Sequence, residues 1–335
     1  MTTQVFYSEE FSKHDNSSHP ENAKRLKVML DEIKKTIFYK ELDFIEPNIL
    51  PEEKLYDVHS NDMIDLIKAM SNEGQSWVDS DTYVCKNDYT TARLAAGALL
   101  QACENVLKNK ADNAFALVRP PGHHATKVRP MGFCLFNNIA IAANEIAKKE
   151  KKVLICDPDV HHGNGTQDIF YDRKDVLYQS IHLSPHYPGT GDTEEIGIGE
   201  GIGYTINSPL SYGNGNQAAK KVIDQIFLPI AKQFKPDLIL FSIGYDSHHS
   251  DPLGGLKFTA DFYGEIIERY QEVQPKIVCT LEGGYNLNWL GKCLAAQLAK
   301  MTGHNIEIKD KTDENPDAER LIEKIRNIFG DYWDV

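Results

Sequence analysis

The sequence predicts one doubly wound α/β domain, and three observations predict it. Short runs rich in Val, Ile and Leu recur along the 335 residues, most of them continuously apolar. That is the pattern of parallel strands buried on both faces. Stretches with helical spacing alternate with these runs. No Gly/Ser/Pro-rich linker divides the chain, and it carries no low-complexity segment and no repeat of about 20–50 residues.

In chain order, Pro20 acts as the start signal of a helix over 21–37. A helix over 90–107 leads into a strand over 113–118, and a helix over 136–148 into a strand over 152–156. A strand over 176–183 follows. A helix over 217–233 precedes a strand over 237–243, and a helix over 258–270 precedes a strand over 276–281. A helix over 287–301 closes the series. From Asn305 to Ala318 the chain is charged. Beyond it Leu321, Ile322, Ile325, Ile328 and Phe329 form the apolar stripe of a helix expected to pack on the body.

Composition narrows the function. With 41% hydrophobic and 25% charged residues, the chain has the material for a full core and is not a disordered one. Lys and Arg total 36 against 49 Asp and Glu, a net charge of -13, which disfavours nucleic acid and suits a basic ligand such as a lysine side chain or polyamine. No apolar run approaches the roughly 20 residues of a membrane helix, and the stretch Met1 to Tyr7 lacks the pattern of a signal peptide. Six scattered cysteines without a CxxC pair are expected to be reduced and buried, so a cytoplasmic location is expected.

The unusual residues gather just past the strands. They are Arg119-Pro-Pro-Gly-His-His-Ala125, Asp157-Pro-Asp-Val-His-His-Gly-Asn-Gly-Thr166 and His182-Leu-Ser-Pro-His-Tyr-Pro-Gly-Thr-Gly191. Gly244-Tyr-Asp246 with Asp251-Pro-Leu-Gly-Gly255, and Glu282-Gly-Gly-Tyr285, complete the set. Open α/β sheets bind ligands at the carboxyl ends of their strands. Taken singly, an Asp there is a helix cap and a His a satisfied polar group. Two His-His pairs, an Asp-x-Asp-x-His and a third Asp together are too costly to bury as caps.

Asp159 and His161 stand two residues apart, on one face if strand geometry persists that far. A carboxylate and an imidazole so placed can share a metal ion, and Asp246 is the natural third ligand. Three ligands leave positions open for water and substrate, as in a catalytic site. Asp157 is suited to orienting a histidine from behind. His123 and His124, after the rigid Pro120-Pro121-Gly122, offer a base for water and an acid for a leaving group. Tyr285, beside Gly283-Gly284, can donate to the oxyanion of a tetrahedral intermediate.

These residues make the chain resemble a histone deacetylase-type metal amidohydrolase, of the class II and acetylpolyamine amidohydrolase branch. The resemblance runs from about residue 5 to 300 and rests on five separated blocks in the right order. His19-Pro-Glu21, Arg25-Leu26 and Asp79-Ser-Asp-Thr-Tyr83 belong to it as well. It implies an arginase-like fold with an eight-stranded parallel sheet flanked by helices, and zinc-dependent removal of an acyl group from an amine. The catalytic domain is expected over 1–304, with 305–335 a charged tail whose helix packs on the same domain.

By the resemblance, Asp159, His161 and Asp246 match the zinc ligands, with iron or cobalt able to substitute. His123 and His124 match the tandem histidines, His124 as general base and acid. Asp157 matches the carboxylate behind His123, and Tyr285 the tyrosine that polarises the carbonyl. Gly132 and Phe133 match the tunnel wall, and Asp81 the acidic rim. Asp157, Asp159, His161, Ser180 and Ile181 match a structural potassium site. Asn164 stands where some relatives have aspartate, which implies a less basic His124. Tyr187 stands where many relatives place a second tunnel phenylalanine. Pro158 removes a backbone donor, as at a strand end. Leu253 stands where polyamine-selective relatives carry a glutamate.

The expected function is therefore a zinc-dependent deacylase acting on N-acyl amides, foremost acetyl-lysine in peptides or proteins. An acetylpolyamine amidohydrolase is the nearest alternative. A ureohydrolase would need two manganese ions and more bridging carboxylates. A non-catalytic acyl-lysine binding module is the alternative of another class, and Tyr285 argues against it. The expected partners are an acylated lysine peptide or a small acylated amine, with no direct nucleic acid and no membrane, and a homo-oligomer is compatible with the sequence.

Overall fold

The computed structural model describes every residue except Gln75. Eight strands form one parallel sheet: β1 (Thr3–Phe6), β2 (Leu42–Ile45), β5 (Asn113–Ala116), β6 (Val153–Asp157), β7 (Val176–Leu183), β8 (Thr205–Leu210), β9 (Leu238–Ile243) and β10 (Ile277–Leu281). The short β3 (Ser76–Trp77) and β4 (Tyr83–Val84) pair antiparallel as a separate ribbon. The order across the main sheet is β2-β1-β5-β10-β9-β6-β7-β8. The last two strands thus return to the middle, between β5 and β6. The central four, β5, β10, β9 and β6, are those whose carboxyl ends lead into the histidine, tyrosine and aspartate clusters.

The five predicted strands all form, and their chemistry explains why. Val153, Leu154 and Ile155 of β6 are wholly buried. Each such side chain contributes roughly 1.5–3 kcal/mol by leaving water. β1, β2 and β8 were not predicted from the residues and lie at or beside the sheet edges. Helices cover both faces, and no described helix is long and apolar enough to cross a membrane. All six cysteines are buried and free.

Several helix limits differ from expectation. The first helix spans Lys24–Ile33 and not 21–37. Asn22 Oδ1 instead accepts the Lys24 N–H at 3.0 Å, and the Thr36 hydroxyl donates to the Ile33 carbonyl at 2.7 Å. A helix at Asn61–Glu73 was not predicted; Ser60 caps it by accepting from Met63 N–H, and Gly74 follows it at φ +110°. The helical run over 217–233 contains a wider π turn at Ile223–Phe227. The tail helix, Glu319–Phe329, buries Ile322, Ile325 and Phe329 against the body.

Candidate active site

Strand β6 ends at Asp157, so strand geometry does not carry Asp159 and His161 to one face as expected. A bend does it. His161 N–H donates to Asp159 Oδ1 at 2.8 Å, folding the imidazole back over the carboxylate. His161 Nδ1 then lies 3.0 Å from Asp159 Oδ1 and 3.3 Å from Asp246 Oδ2. Asp246 sits in the turn Tyr245–Ser247 after β9. It is tied to the bend by Val160 N–H, which donates to its Oδ1 at 3.1 Å, and by the Ser247 hydroxyl, which donates to the Pro158 carbonyl at 2.8 Å. A side chain on Gly244 or Gly283 would run into the Asp159 and Asp246 carboxylates, so the close approach of these strand ends requires glycine.

One ligand atom from each of Asp159, His161 and Asp246 lies within 4.8 Å of the others. Both carboxylates are fully buried. Asp246 Oδ2 receives no hydrogen bond although it is shut off from water. A buried anionic oxygen is costly without a partner. Two carboxylates, one imidazole and an unsatisfied lone pair fit a divalent cation such as zinc. Burial alone would lower the His161 imidazole, but the Asp159 and Asp246 carboxylates, 3.0 Å and 3.3 Å away, carry it up to about 10.

The tandem histidines follow β5. His123 Nδ1 lies 3.1 Å from Asp157 Oδ2, which also accepts from the Tyr178 hydroxyl at 3.1 Å. Burial opposes charge on His123, yet Asp157 and Asp159 raise it to about 10. His124 Nδ1 faces Asn164 Oδ1 at 2.8 Å. Burial first, then the charges of His123 and His161, hold His124 well below its ordinary range. The hydrogen bond to Asn164 acts in the opposite direction and is outweighed by burial. Glu282, which had no predicted role, accepts Gly122 N–H at 2.6 Å and His123 N–H at 3.1 Å on one oxygen, and the Ser242 hydroxyl at 2.9 Å on the other.

Tyr285 lies edge-on to Phe133, with ring centroids 5.8 Å apart, and Arg25 lies 5.1 Å from its ring centroid. Asp251 accepts Tyr285 N–H at 2.6 Å and Asn286 N–H at 2.9 Å. Gly132 and Phe133 both take left-handed φ, +57° and +68°. For Phe133 this is strained. Its N–H is held by the Thr82 hydroxyl oxygen at 3.1 Å. Tyr187 stands edge-on over His124 at 5.1 Å.

A cavity of about 240 Å³ joins these groups. Asp81, His124, Gly132, Phe133, His161, His186, Tyr187, Leu253 and Tyr285 line it. All but His186 were picked out by sequence. His186 was missed although its stretch was singled out. It stacks on His161 at 4.9 Å, and its Nε2 lies 3.0 Å from the Leu253 carbonyl. The Asp81 carbonyl lies 3.0 Å from His19 Nε2. His123, Asp157, Asp159 and Asp246 lie behind the floor. Ser180 pairs in register with Asp157, with its Oγ 2.8 Å from His182 Nδ1; Ile181 is buried beside it. A larger cavity of about 650 Å³ opens at the amino ends of the strands, near Met1, Asn113 and Lys276, far from this chemistry.

Comparison with known proteins agrees with this arrangement. The model of the family described as Histone deacetylase domain matches residues 19–301. The chain is 35% identical over 356 residues to a protein named Probable deacetylase from Archaeoglobus fulgidus, covering 99% of each. It is 40% identical over 308 residues to Histone deacetylase 10, chloroplastic, of Oryza sativa subsp. japonica, covering 84% of this chain and 69% of that one. The crystal structure of the HDA15 HD domain matches with a TM-score of 0.92 at 34% identity, covering 99% of this chain and 97% of that one. Sequence and architecture agree along nearly the whole length: this chain belongs to the histone deacetylase family and has its arginase-like fold.

Proposed function

We propose that the chain is a zinc-dependent deacetylase that hydrolyses the side-chain amide of acetyl-lysine in peptides or proteins. One observation carries the reading. Two buried carboxylates and an imidazole converge within 4.8 Å, and that imidazole, His161, lines the same cavity as His124 and Tyr285.

Asp159, His161 and Asp246 would hold the zinc ion, which when bound would supply Lewis acidity toward a water and toward the amide carbonyl. His124 stays neutral because it is buried and lies beside the cationic His123. It takes the proton of the attacking water and passes it to the leaving amine. Tyr285 donates its hydroxyl hydrogen to the carbonyl oxygen as charge builds there. His123, held cationic by Asp157, adds a fixed positive charge against that oxyanion. Phe133 and Tyr187 flank the methylene stem of the lysine, and Asp81 accepts a backbone N–H of the peptide at the rim.

The test is a turnover panel of acyl-lysine peptides and acetylated polyamines on zinc-loaded protein. Hydrolysis of acetyl-lysine peptides is expected. Failure to turn over any acyl-lysine peptide would refute the proposal.

A further inference from the structure

His248, His249 and Asp310 form a second cluster, outside the cavity. Asp310 belongs to the charged segment beyond residue 301, where the family match ends. Its Oδ2 lies 3.0 Å from His248 Nε2 and its Oδ1 2.7 Å from His249 Nε2. The same Oδ2 accepts Ala260 N–H at 2.7 Å, at the start of the helix Ala260–Gln271. The side chains of His248 and Asp310 are each 1% exposed. Trp289 packs over His248 with ring centroids 4.6 Å apart.

Two imidazoles and a carboxylate can hold a metal, or they can hold each other. The far nitrogen of His248 decides between these. Its Nδ1 faces Ser250 N–H at 3.2 Å. A backbone N–H only donates, so Nδ1 carries the lone pair and the proton sits on Nε2, facing Asp310. A metal-ligating histidine is the reverse: its lone pair faces the ion and its other N–H goes to an acceptor. The cluster is built for hydrogen bonds.

We infer that Asp310 is a positioning residue for the active site, accepting Nε2–H from both histidines and thereby locking the loop from Asp246 to Gly255. That loop carries Asp246 two residues before His248. Two residues after His249 it carries Asp251, which holds the Tyr285 backbone. Leu253 of the same loop lines the cavity. One carboxylate from the C-terminal segment therefore braces a cation ligand, the support of Tyr285 and a cavity wall. The segment has its own anchors. Asn315 N–H donates to the Gly213 carbonyl at 2.8 Å, and the helix Glu319–Phe329 is buried along one side. Removing the Asp310 side chain therefore loosens the loop and leaves the segment in place.

The activity readout rests on the deacetylase reading above; the spectroscopic one does not. Full-length, zinc-loaded wild type, Asp310→Ala and the isosteric Asp310→Asn would be compared for kcat and KM on an acetyl-lysine peptide. The histidine tautomers would be read by long-range 15N–1H NMR, and zinc equivalents counted. We expect both variants to lose about ten- to a hundred-fold in kcat/KM, mainly in kcat, because outer partners of a metal site are worth that much. The wild-type His248 signal should be that of the Nε2–H form, and it should change in both variants. If Asp310→Ala does not fold, Asp310→Asn carries the comparison. Variants within two-fold of an active wild type would overturn the inference. So would a second zinc equivalent that disappears with Asp310. A wild type inactive on every acyl-lysine peptide would strike the deacetylase reading instead, and the His248 tautomer would still decide the clamp.

Discussion

His124 sets its Nδ1 2.8 Å from Oδ1 of Asn164, a neutral partner, while His123 beside it faces the Asp157 carboxylate at 3.1 Å. Two adjacent histidines thus receive opposite electrostatic instructions. One is raised to about 10 and the other pushed well below its ordinary range. In the proposed mechanism that division lets one remain a fixed cation while the other exchanges a proton.

The first prediction reverses the instruction to His124. The imidazole accepts a proton only when neutral, so activity falls as pH drops through its pKa. Asn164→Asp places a negative charge at Nδ1 and raises that pKa by about 1–3 units. The acid limb of kcat/KM should move to higher pH by a similar amount. Superimposable pH–rate profiles for wild type and variant would remove His124 from proton transfer.

Tyr285→Phe removes one hydroxyl and little volume. The ring contact with Phe133 and the backbone bond to Asp251 remain. If the phenol answers developing oxyanion charge, kcat should drop about a hundred-fold or more while KM changes little. Steady-state kinetics on an acetyl-lysine peptide would show this, and near-normal kcat would return Tyr285 to a wall residue.

Legibility in the sequence followed burial. β6, β7, β9 and β10 are buried on both faces, and a nearly continuous apolar run cannot hide. β1 is only four residues and begins Thr3-Gln4. β2 exposes Asp43 and Phe44 at an edge, and β8 carries Asn207, Ser208 and Pro209. Those strands follow from their neighbours' hydrogen bonds, which no run of residues displays. The cation cluster was legible because His and Asp concentrated after strands; Gly132, Phe133, Tyr187 and Leu253 of the cavity wall came from the family resemblance. The roles of Tyr178, Glu282 and Asp251 were not legible, because a hydroxyl donating to Asp157, or a carboxylate accepting a backbone N–H, resembles any other buried polar group until the chain is folded. Nor did the sequence disclose that a bend, and not a strand, brings His161 onto Asp159.

Asp246→Ala should abolish metal binding and activity together. It removes the oxygen that no described donor satisfies, and with it the acceptor of Val160 N–H. The lost hydrogen bond costs about 1–3 kcal/mol, too little to unfold a domain built on an eight-stranded sheet. Circular dichroism should stay native while elemental analysis finds no zinc. Full zinc occupancy would refute the ligand assignment.

Glu282→Gln tests a buried carboxylate through stability. Burial, only partly offset by the charge of His123 and the N–H of Gly122, raises its pKa from 4.5 to about 7. A raised carboxylate contributes its stability below its unfolded pKa and loses it as pH rises through the folded one. Glutamine does not titrate, and its amide can accept from Gly122 and His123 while donating to Ser242. The variant should therefore gain on wild type between pH 4.5 and about 7, by roughly 3 kcal/mol at most. Urea unfolding at pH 5 and pH 8 measures the difference. A pH-independent gap would show that Glu282 is ionised throughout.

The last prediction concerns substrate choice. Leu253 lines the cavity, and its carbonyl is held by His186, so the position is fixed at the wall and offers only apolar contact. A polyamine carries a second cation that needs an anionic partner near the mouth. An acyl-lysine peptide presents a neutral stem and a backbone. Leucine therefore favours the peptide, whose backbone N–H the proposed mechanism gives to Asp81. Leu253→Glu would add a charge contact worth about 1–3 kcal/mol, a shift of roughly ten- to a hundred-fold in preference. Wild type should hydrolyse an acetyl-lysine peptide more efficiently than N8-acetylspermidine, and the variant should move the ratio of kcat/KM values toward the polyamine. The acidic surface, with its net charge of -13, attracts both substrates and cancels from that ratio to first order. A wild type that prefers the polyamine, with no further gain in Leu253→Glu, would show that another carboxylate, Asp81 first among them, already binds the distant amine.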